Sequence, residues 1–499
     1  MYKIRNISRA LLILLLCLSF SCSNEKTAQR QESGSFVDRV SRDKSDFYHV
    51  DLKANKNIAP DLPIGMFDSG TGGLTVLNAL LSFDEFDNVT KKQNGGDGLC
   101  DFANERFIYL GDQANMPYGS YSQMDKTTFL EELILKDALF LLGNNRYCNA
   151  REMKWQSNKQ AVKVIVIACN TATAYGKNTI EQMLSRYGNN TQVIGVIDAG
   201  ISGALSTLDK EEDASVAVIA TAGTVSSNGY LNTFLAKKNE KGFTGNIEFF
   251  QQPGEGIAGA IDEEISFIDR NSKALRDNYK GPSLHNARLQ IKQELLPAYN
   301  FDTTANALLF EKSEGKYSDI QLNSPENYIR FHLVSLCEQL KKKQHVAPLK
   351  TLILGCTHYP YYSAFFKSVL NELYNLKIEG QYVYRHVLAE EVILIDPALN
   401  TAKEVYHYLV DRHLMNKDGS ISESEFYISV PDIYNNSVEL DSMRNFTYAY
   451  KYGREINAPY DTKIVPMKEG ALSDNAIARI RKELPKVYEI MELDNSTNQ

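Results

Sequence analysis

Seven short, mainly apolar runs rich in β-branched residues constrain the fold of this chain more than any other feature. Helix-like stretches separate them, and each run is followed by a turn or a polar motif. Strands buried on both faces have this continuous apolar pattern, so the runs predict an α/β fold with mainly parallel sheets. In such folds ligands bind at the carboxyl ends of the strands. The runs are Ile64–Phe67, Phe107–Leu110, Val162–Ala168, Val193–Ile197, Val216–Ala220, Thr351–Leu354 and Val392–Ile395.

Two of these strand ends resemble each other. Residues 164–171 read Val-Ile-Val-Ile-Ala-Cys-Asn-Thr, and residues 351–358 read Thr-Leu-Ile-Leu-Gly-Cys-Thr-His. The duplication predicts two pseudo-symmetric, doubly wound lobes with an active-site cleft between them. Each lobe would deliver one cysteine to that cleft, Cys169 from the first and Cys356 from the second.

The predicted organisation has six segments. A charged stretch at 208–213 marks the boundary between the lobes, and a polar, helix-leaning stretch at about 265–330 predicts an insertion on the surface or over the cleft. The segments are a signal peptide (1–22), a flexible linker (23–60), lobe one (61–205), lobe two with its insertion (206–400), a C-terminal part that closes on lobe one (401–455) and a C-terminal extension (456–499).

The first segment has the pattern of an export signal. Three basic residues precede an apolar run at 10–20, which is too short for an ordinary transmembrane helix. The Ser21-Cys22 pair that follows resembles the lipobox of bacterial lipoproteins, which implies lipidation of Cys22 and a membrane-anchored protein on the envelope side. A plain signal peptide with cleavage elsewhere is the alternative, and the protein is cytoplasmic if the leader is not functional.

Charge and cysteine content exclude two classes of partner. The formal net charge is −8 and no long basic stripe is visible, so nucleic acid is not an expected partner. The chain has 7 cysteines and no Cys-x-x-Cys pair, which argues against a disulfide scaffold and against a structural zinc site. We therefore expect no metal.

The two cysteines at the strand ends are candidate acid and base. A lone cysteine that ends a core strand is usually inert packing, but two in duplicated positions favour a facing pair. Two thiols on opposite faces of one carbon can remove a proton from one side and deliver one from the other, which inverts the centre without cofactor or metal. The donors expected to hold the substrate carboxylate beside them are Ser69, Asn170, Thr171, Thr224 and Thr357.

Seven motifs in this order resemble those of glutamate racemases, in the aspartate/glutamate racemase family. The resemblance covers roughly residues 62–440. The motifs are Phe67-Asp68-Ser69-Gly70-Thr71-Gly72-Gly73, Gly111-Asp112 with Pro117-Tyr118-Gly119, Ala168-Cys169-Asn170-Thr171, Gly195-Val196-Ile197-Asp198, Ala220-Thr221 with Gly223-Thr224 through Tyr230, Gly355-Cys356-Thr357-His358, and Ile395-Asp396-Pro397-Ala398.

The resemblance implies cofactor-independent interconversion of L- and D-glutamate, which supplies D-glutamate for peptidoglycan and so for cell shape. It implies that Cys169 acts on D-glutamate with help from Asp68, and that Cys356 acts on L-glutamate with help from His358. A homodimer is left open. The substrate contacts it implies are Asp68, Ser69, Pro117, Tyr118, Gly119, Cys169, Asn170, Thr171, Thr221, Thr224, Cys356, Thr357 and His358.

Several alternatives stay open at this point. Asp68 could only cap a helix, His358 could be structural and Tyr118 could be packing. The family's acidic residue in lobe two has no clear match, and Asp262, Glu263 and Glu264 lie in the right region.

The function also has alternatives. The substrate could be aspartate or another amino acid, or the protein could be an inactive, exported amino-acid-binding lipoprotein. A hydrolase using Cys356 and His358 is a third reading; we expect positions two apart to lack the required geometry, and Cys169 would have no role.

Overall fold

The fold is built on two mainly parallel sheets. The structure, a computed structural model, describes residues 36–53, 58–93, 95–467, 472 and 474–497. A six-stranded sheet has the order β14-β13-β2-β1-β3-β4 and a four-stranded sheet the order β12-β9-β5-β6. The strands are β1 (Ile64–Asp68), β2 (Phe107–Gly111), β3 (Val164–Ile167), β4 (Gln192–Gly195), β5 (Ala214–Ala220), β6 (Ile247–Pro253), β7 (Leu308–Ser313), β8 (Lys316–Leu322), β9 (Leu349–Gly355), β10 (Lys377–Ile378), β11 (Gln381–Tyr382), β12 (Leu388–Ile395), β13 (Glu425–Pro431) and β14 (Thr462–Pro466).

Helices cover both sheets, as the predicted α/β class requires. They are α1 (residues 36–42), α2 (Leu74–Leu81), α3 (Gly119–Gln123), α4 (Thr127–Leu142), α5 (Asn170–Tyr187), α6 (Val196–Ser206), α7 (Ala222–Ser226), α8 (Gly229–Glu240), α9 (Ile257–Ile261), α10 (Leu296–Tyr299), α11 (Pro325–Lys341), α12 (Ser363–Asn375), α13 (Pro397–Asp411), α14 (Tyr448–Gly453), α15 (Asp474–Glu483) and α16 (Pro485–Thr497).

The fold class predicted from the apolar runs is confirmed. Each of the seven runs overlaps a strand of one of the two sheets, and within these sheets only β14 pairs antiparallel, with β13. The run at 193–197 forms a shorter strand than expected, because Val196 already begins α6. Strands β1, β2, β3 and β5 are buried throughout, which is why their sequences are apolar without alternation.

Strand register brings the ends of neighbouring strands together. In the larger sheet Phe67 of β1 lies opposite Ile167 of β3, so Asp68 and Cys169 emerge from the same edge. In the smaller sheet Ala220 of β5 lies opposite Gly355 of β9, so Cys356 emerges next to the residue that follows β5. Parallel pairing therefore places both sulfurs at carboxyl edges of sheets.

The prediction of a flexible linker over residues 23–60 is wrong for residues 36–53. Phe36, Val37 and Val40 of α1 are buried against lobe one, and Phe47 stacks on Tyr147 with ring centroids 5.2 Å apart. The polar composition of the whole segment hid these apolar positions, whose helical spacing forms one buried face. Residues 1–35, with the proposed signal peptide and Cys22, lie outside the described residues.

The insertion at 265–330 is not mainly helical. Residues 308–322 form an antiparallel hairpin, β7 and β8, and the long helix α11 begins only at Pro325. Ile268, Leu284 and Leu289 of this region are buried in the apolar core of lobe two. The insertion is thus part of that core, because its scattered apolar residues converge although their spacing along the chain shows no helical period.

The C-terminal segments belong to lobe one. Strand β13 pairs parallel to β2, and β14 extends the sheet beyond it. Helix α16 buries Val487 and Ile490 in the apolar cluster that also covers β1 and β2. Within the described part of the chain, no helix is both long and apolar enough to cross a membrane.

A buried ion pair ties lobe one together beneath the sheet. Lys163 Nζ lies 2.6 Å from Glu105 Oε2, and both side chains are completely buried. The same ammonium donates to the carbonyl oxygens of Pro60 (2.7 Å) and Leu414 (2.8 Å), so its three protons each have an acceptor. The Lys163 ammonium therefore joins three segments that are distant from it in sequence, at Pro60, Glu105 and Leu414.

We expect Lys163→Met to lower the free energy of unfolding by about 3–5 kcal/mol, because it leaves a buried carboxylate without its partner. The matched control is Lys367→Met, which breaks a solvent-exposed pair with Glu391 and is expected to cost less than about 1 kcal/mol. Urea denaturation of the two variants measures both values. Equal losses of unfolding free energy in the two variants would contradict the stabilising role of the buried Lys163–Glu105 pair.

Candidate active site

Both cysteines that follow duplicated strands line one cavity of about 580 Å³. Cys169 comes after β3 of the larger sheet and Cys356 after β9 of the smaller one. Each side chain is buried but reaches the cavity surface. The structure therefore brings the two predicted thiols to a shared space between the lobes.

The Cys169 sulfur sits at the start of α5. It accepts a hydrogen bond from the Ala172 amide at 3.4 Å and lies 3.8 Å from the Ser69 hydroxyl. A helix N-terminus favours the thiolate, but burial and the nearby Asp68 carboxyl outweigh it and raise the pKa of Cys169 to about 12. At neutral pH this sulfur is a protonated thiol.

Asp68 ends β1 and faces the same cavity. Its Oδ2 accepts the Gly73 amide at 2.8 Å, and burial raises the pKa of the carboxyl despite that bond and others from Cys169, Ser69 and Gly70. A Cβ at Gly73 would lie 2.6 Å from the Asp68 Cβ, so the paired glycines of the motif allow the start of α2 to approach this carboxyl. Asp68 thus combines helix capping with a position on the cavity wall.

Cys356 has a different set of partners. Its Sγ lies 3.6 Å from His358 Nδ1, and His358 Nε2 lies 3.3 Å from Asp262 Oδ1. The expectation that positions two apart lack this geometry is wrong, because the chain turns into a short 3-10 helix at residue 359. The structure also selects Asp262 from the three acidic residues that the sequence left open.

The charges of this second group reinforce one another. Burial alone would lower the pKa of His358, but hydrogen bonds with Asp262 and Cys356 outweigh it and raise the pKa to about 10. Burial would raise the pKa of Asp262, but His358 and Arg479 lower it below its usual value. At neutral pH the Cys356 side chain therefore faces an imidazolium whose other nitrogen contacts Asp262.

One amide links the residues next to the two cysteines. Asn170 Nδ2 donates to the Gly355 carbonyl at 3.2 Å, and the Tyr230 hydroxyl donates to Asn170 Oδ1 at 3.0 Å. Asn170 follows Cys169 and Gly355 precedes Cys356. This hydrogen bond therefore spans the two sheets beside the cavity.

Most of the other predicted binding residues also reach the cavity. Thr221 Oγ1 accepts the Thr224 amide at 3.3 Å and so caps α7 beside the cavity. The predicted residues on the wall, besides the two cysteines and their partners, are Ser69, Pro117, Asn170, Thr171, Thr221, Thr224 and Thr357.

Tyr118 and Gly119 are not on the cavity wall. The Tyr118 side chain is buried behind the wall, with its hydroxyl 2.5 Å from Asp112 Oδ2 and 2.7 Å from Asp137 Oδ2. Burial raises the pKa of Asp137 well above its ordinary value, so that carboxyl can donate to the phenol oxygen while the phenol donates to Asp112. The Tyr118 side chain thus belongs to a buried polar network that supports the loop before Pro117.

Sequence reasoning missed several wall residues. Those from lobe one lie within or beside recognised motifs, and Ala258 of lobe two lies four residues before Asp262. Those from the C-terminal part follow no motif and could not be placed. The missed wall residues are Thr71, Gly72, Gln113, Met116, Ala168, Ala258, Asn445, Leu472, Ala476 and Arg479. Among the described residues, no group of three or more His, Cys, Asp or Glu side chains is arranged to hold a metal ion.

We expect the His358 ring to titrate near pH 10 rather than near 6.5, and Asp262→Asn to lower that midpoint by removing the charge that holds the proton. Histidine NMR signals, assigned with His358→Asn, measure both midpoints. Since the folded pKa exceeds the unfolded one, protonation of His358 stabilises the fold fully below about pH 6.5, and this contribution is lost as pH rises through about 10. A midpoint near 6.5 would contradict the proposed contacts.

Comparisons with known proteins agree with the motifs. No family model matches the chain. It is 28% identical over 369 residues to a protein named glutamate racemase from Thermoanaerobacter sp. (strain X514), covering 74% of this chain and 88% of that protein. It is 25% identical over 365 residues to one from Levilactobacillus brevis, covering 73% and 85%.

Among solved structures, a glutamate racemase from Francisella tularensis in complex with D-glutamate is 23% identical and matches with a TM-score of 0.40, covering 74% of this chain and 88% of that one. Over about three quarters of its length, the chain is thus similar in sequence to glutamate racemases, as its motifs indicate.

Proposed function

We propose that this protein interconverts L- and D-glutamate by a two-thiol mechanism and so supplies D-glutamate for the cell wall. The observation that carries the proposal is the shared cavity, to which two sheets each contribute one sulfur. Each sulfur also has its own acidic or basic partner, Asp68 for Cys169 and His358 for Cys356. An acid and a base on two sides of one space are what inversion of a single carbon requires.

In the L-to-D direction, the Cys356 thiolate removes the α-proton and Cys169 delivers a proton to the opposite face. The His358 imidazolium stabilises the thiolate before transfer, and the raised pKa of Cys169 keeps its proton available for delivery. The electron pair left on the α-carbon is stabilised through the α-carboxylate by neighbouring amide and hydroxyl donors. In the reverse direction the two sulfurs exchange roles.

A bound amino acid would bring a positive charge that favours the Cys169 thiolate. Burial raises the pKa of this thiol, and the Asp68 carboxylate beside it raises that pKa further. An α-ammonium group placed near Asp68 would offset that carboxylate and ease formation of the Cys169 thiolate. Ionisation of Cys169 would then depend on occupancy of the cavity, which limits a reactive thiolate to the time when substrate is present.

Glutamate is the substrate in the name of the two relatives described above. The cavity contains donors for carboxylates, so aspartate or another acidic amino acid is the competing substrate. Side-by-side turnover of glutamate and aspartate decides between them. A racemase for glutamate would show the higher kcat/KM for glutamate with both enantiomers.

A hydrolase is a second candidate because of one observation, the contact between Cys356 and His358 backed by Asp262. A nucleophile, a base and an orienting carboxylate in this order resemble the arrangement used in acyl transfer. That reading needs only one sulfur and assigns no role to Cys169. It predicts a covalent acyl group on Cys356.

We expect the reduced protein in D₂O to deuterate the α-position of glutamate and to abolish its optical rotation. Cys169→Ala and Cys356→Ala are each expected to lower racemisation roughly 10²–10⁴-fold in both directions, because both protons must move in either direction. Cys169→Ala should retain slow deuteration of L-glutamate only, and Cys356→Ala that of D-glutamate only. NMR and polarimetry measure the two signals.

The matched control is Cys148→Ala, which removes a half-buried cysteine outside the cavity and should leave both signals unchanged. Heat release on glutamate binding without deuteration would indicate a binding protein instead. Loss of activity in Cys356→Ala with full activity in Cys169→Ala would overturn the two-thiol mechanism and favour the hydrolase.

A further inference from the structure

Helix α15 brings the C-terminal part of the chain to the candidate active site. Ile480 of this helix and Leu484 after it are buried in the apolar cluster of lobe one, together with Val487 of α16. That packing fixes the helix on one side of the cleft. Ala476 and Arg479, one turn apart on α15, line the cavity.

Arg479 reaches across the cleft to lobe two. Its Nη1 lies 2.6 Å from Asp262 Oδ1, and Asp262 directly follows α9, which packs in the core of the second lobe. The two side chains are only about one third and one fifth exposed. The ion pair therefore joins a helix anchored on lobe one to an acidic residue of lobe two, at the cavity itself.

The same carboxylate oxygen contacts His358. Asp262 Oδ1 lies 3.3 Å from His358 Nε2, and the other ring nitrogen lies 3.6 Å from Cys356 Sγ. Arg479 thus begins a series of contacts that ends at the sulfur. Because a carboxylate held by two donors has fewer accessible rotamers than one held by a single donor, Arg479 fixes the oxygen on which the imidazole ring depends.

We propose that Arg479 is a positioning residue for Cys356: through Asp262 it orients the His358 ring at the sulfur and so speeds proton transfer at that thiol and not at Cys169. The inference rests on the proposed racemase function. The asymmetry follows from the contacts, since Cys169 has a separate set of partners in Asp68, Ser69 and Ala172.

Direction-specific isotope effects test this assignment. In the L-to-D direction Cys356 takes the substrate deuteron, and in the D-to-L direction Cys169 takes it. If Arg479→Gln slows only the step at Cys356, the primary isotope effect on kcat/KM rises for 2-deuterated L-glutamate and falls toward 1 for 2-deuterated D-glutamate. We expect kcat/KM to fall about tenfold in both directions, since the two enantiomers have equal free energy.

Two further variants separate an effect of the charge near Asp262 from a general effect on helix α15. Arg479→Lys keeps a positive charge near Asp262 and should restore part of the rate and move both isotope effects back toward the wild-type values. Lys482→Gln removes a charge from the exposed side of the same helix and should change neither rate nor isotope effects. Thermal unfolding of each variant separates loss of folded protein from a change in the slow step.

Other outcomes would overturn the inference. A raised KM with unchanged kcat and isotope effects would make Arg479 a carboxylate-binding residue, and an equal fall in both directions with unchanged isotope effects would make it merely structural. Wild-type protein without racemisation would instead reject the proposed function. In that case the His358 NMR signals still decide the positioning: they must shift in Arg479→Gln and not in Lys482→Gln, and unchanged signals would reject it.

Discussion

Burial of ionisable groups at the ends of parallel strands is the constraint on which this site depends. Parallel pairing directs Asp68, Cys169 and Cys356 to sheet edges that meet at one cavity, and the surrounding core removes most of the water that would solvate a charge. Each charged form must then be held by a specific donor or counter-ion. The helices that begin at these edges, and the residues that reach over them, supply those partners.

The two sulfurs satisfy this constraint differently. Cys169 has backbone and hydroxyl donors but lies beside a carboxyl, which favours its protonated form. Cys356 lies beside an imidazolium that Asp262 holds in place. The lobes are similar in topology at these strand ends but not in electrostatics. The proposed reaction is symmetric in its substrates, whereas the two halves of the candidate site have unlike partners.

Local sequence was sufficient to predict the site residues that come just after a buried strand. Cys169 and Cys356 could be predicted because a buried strand has a recognisable apolar pattern and its last residue must face the edge of the sheet. Arg479 could not, because its partner Asp262 is 217 residues away and α15 carries no motif. Tyr118 was misplaced since the same motif can present either its backbone or its side chain to a cavity. The segment 36–53 was misjudged because a mostly polar stretch contained one apolar face.

The hydrogen bond from Asn170 to the Gly355 carbonyl has a consequence for the range of ligands. This hydrogen bond joins the immediate neighbours of the two cysteines, so its length depends on the distance between the two sulfurs. A ligand whose central carbon is too bulky for that gap must stretch the amide contact before both thiols can touch it. The spacing of the two thiols is therefore tied to a hydrogen bond between the sheets, apart from any contact that a ligand's side chain makes.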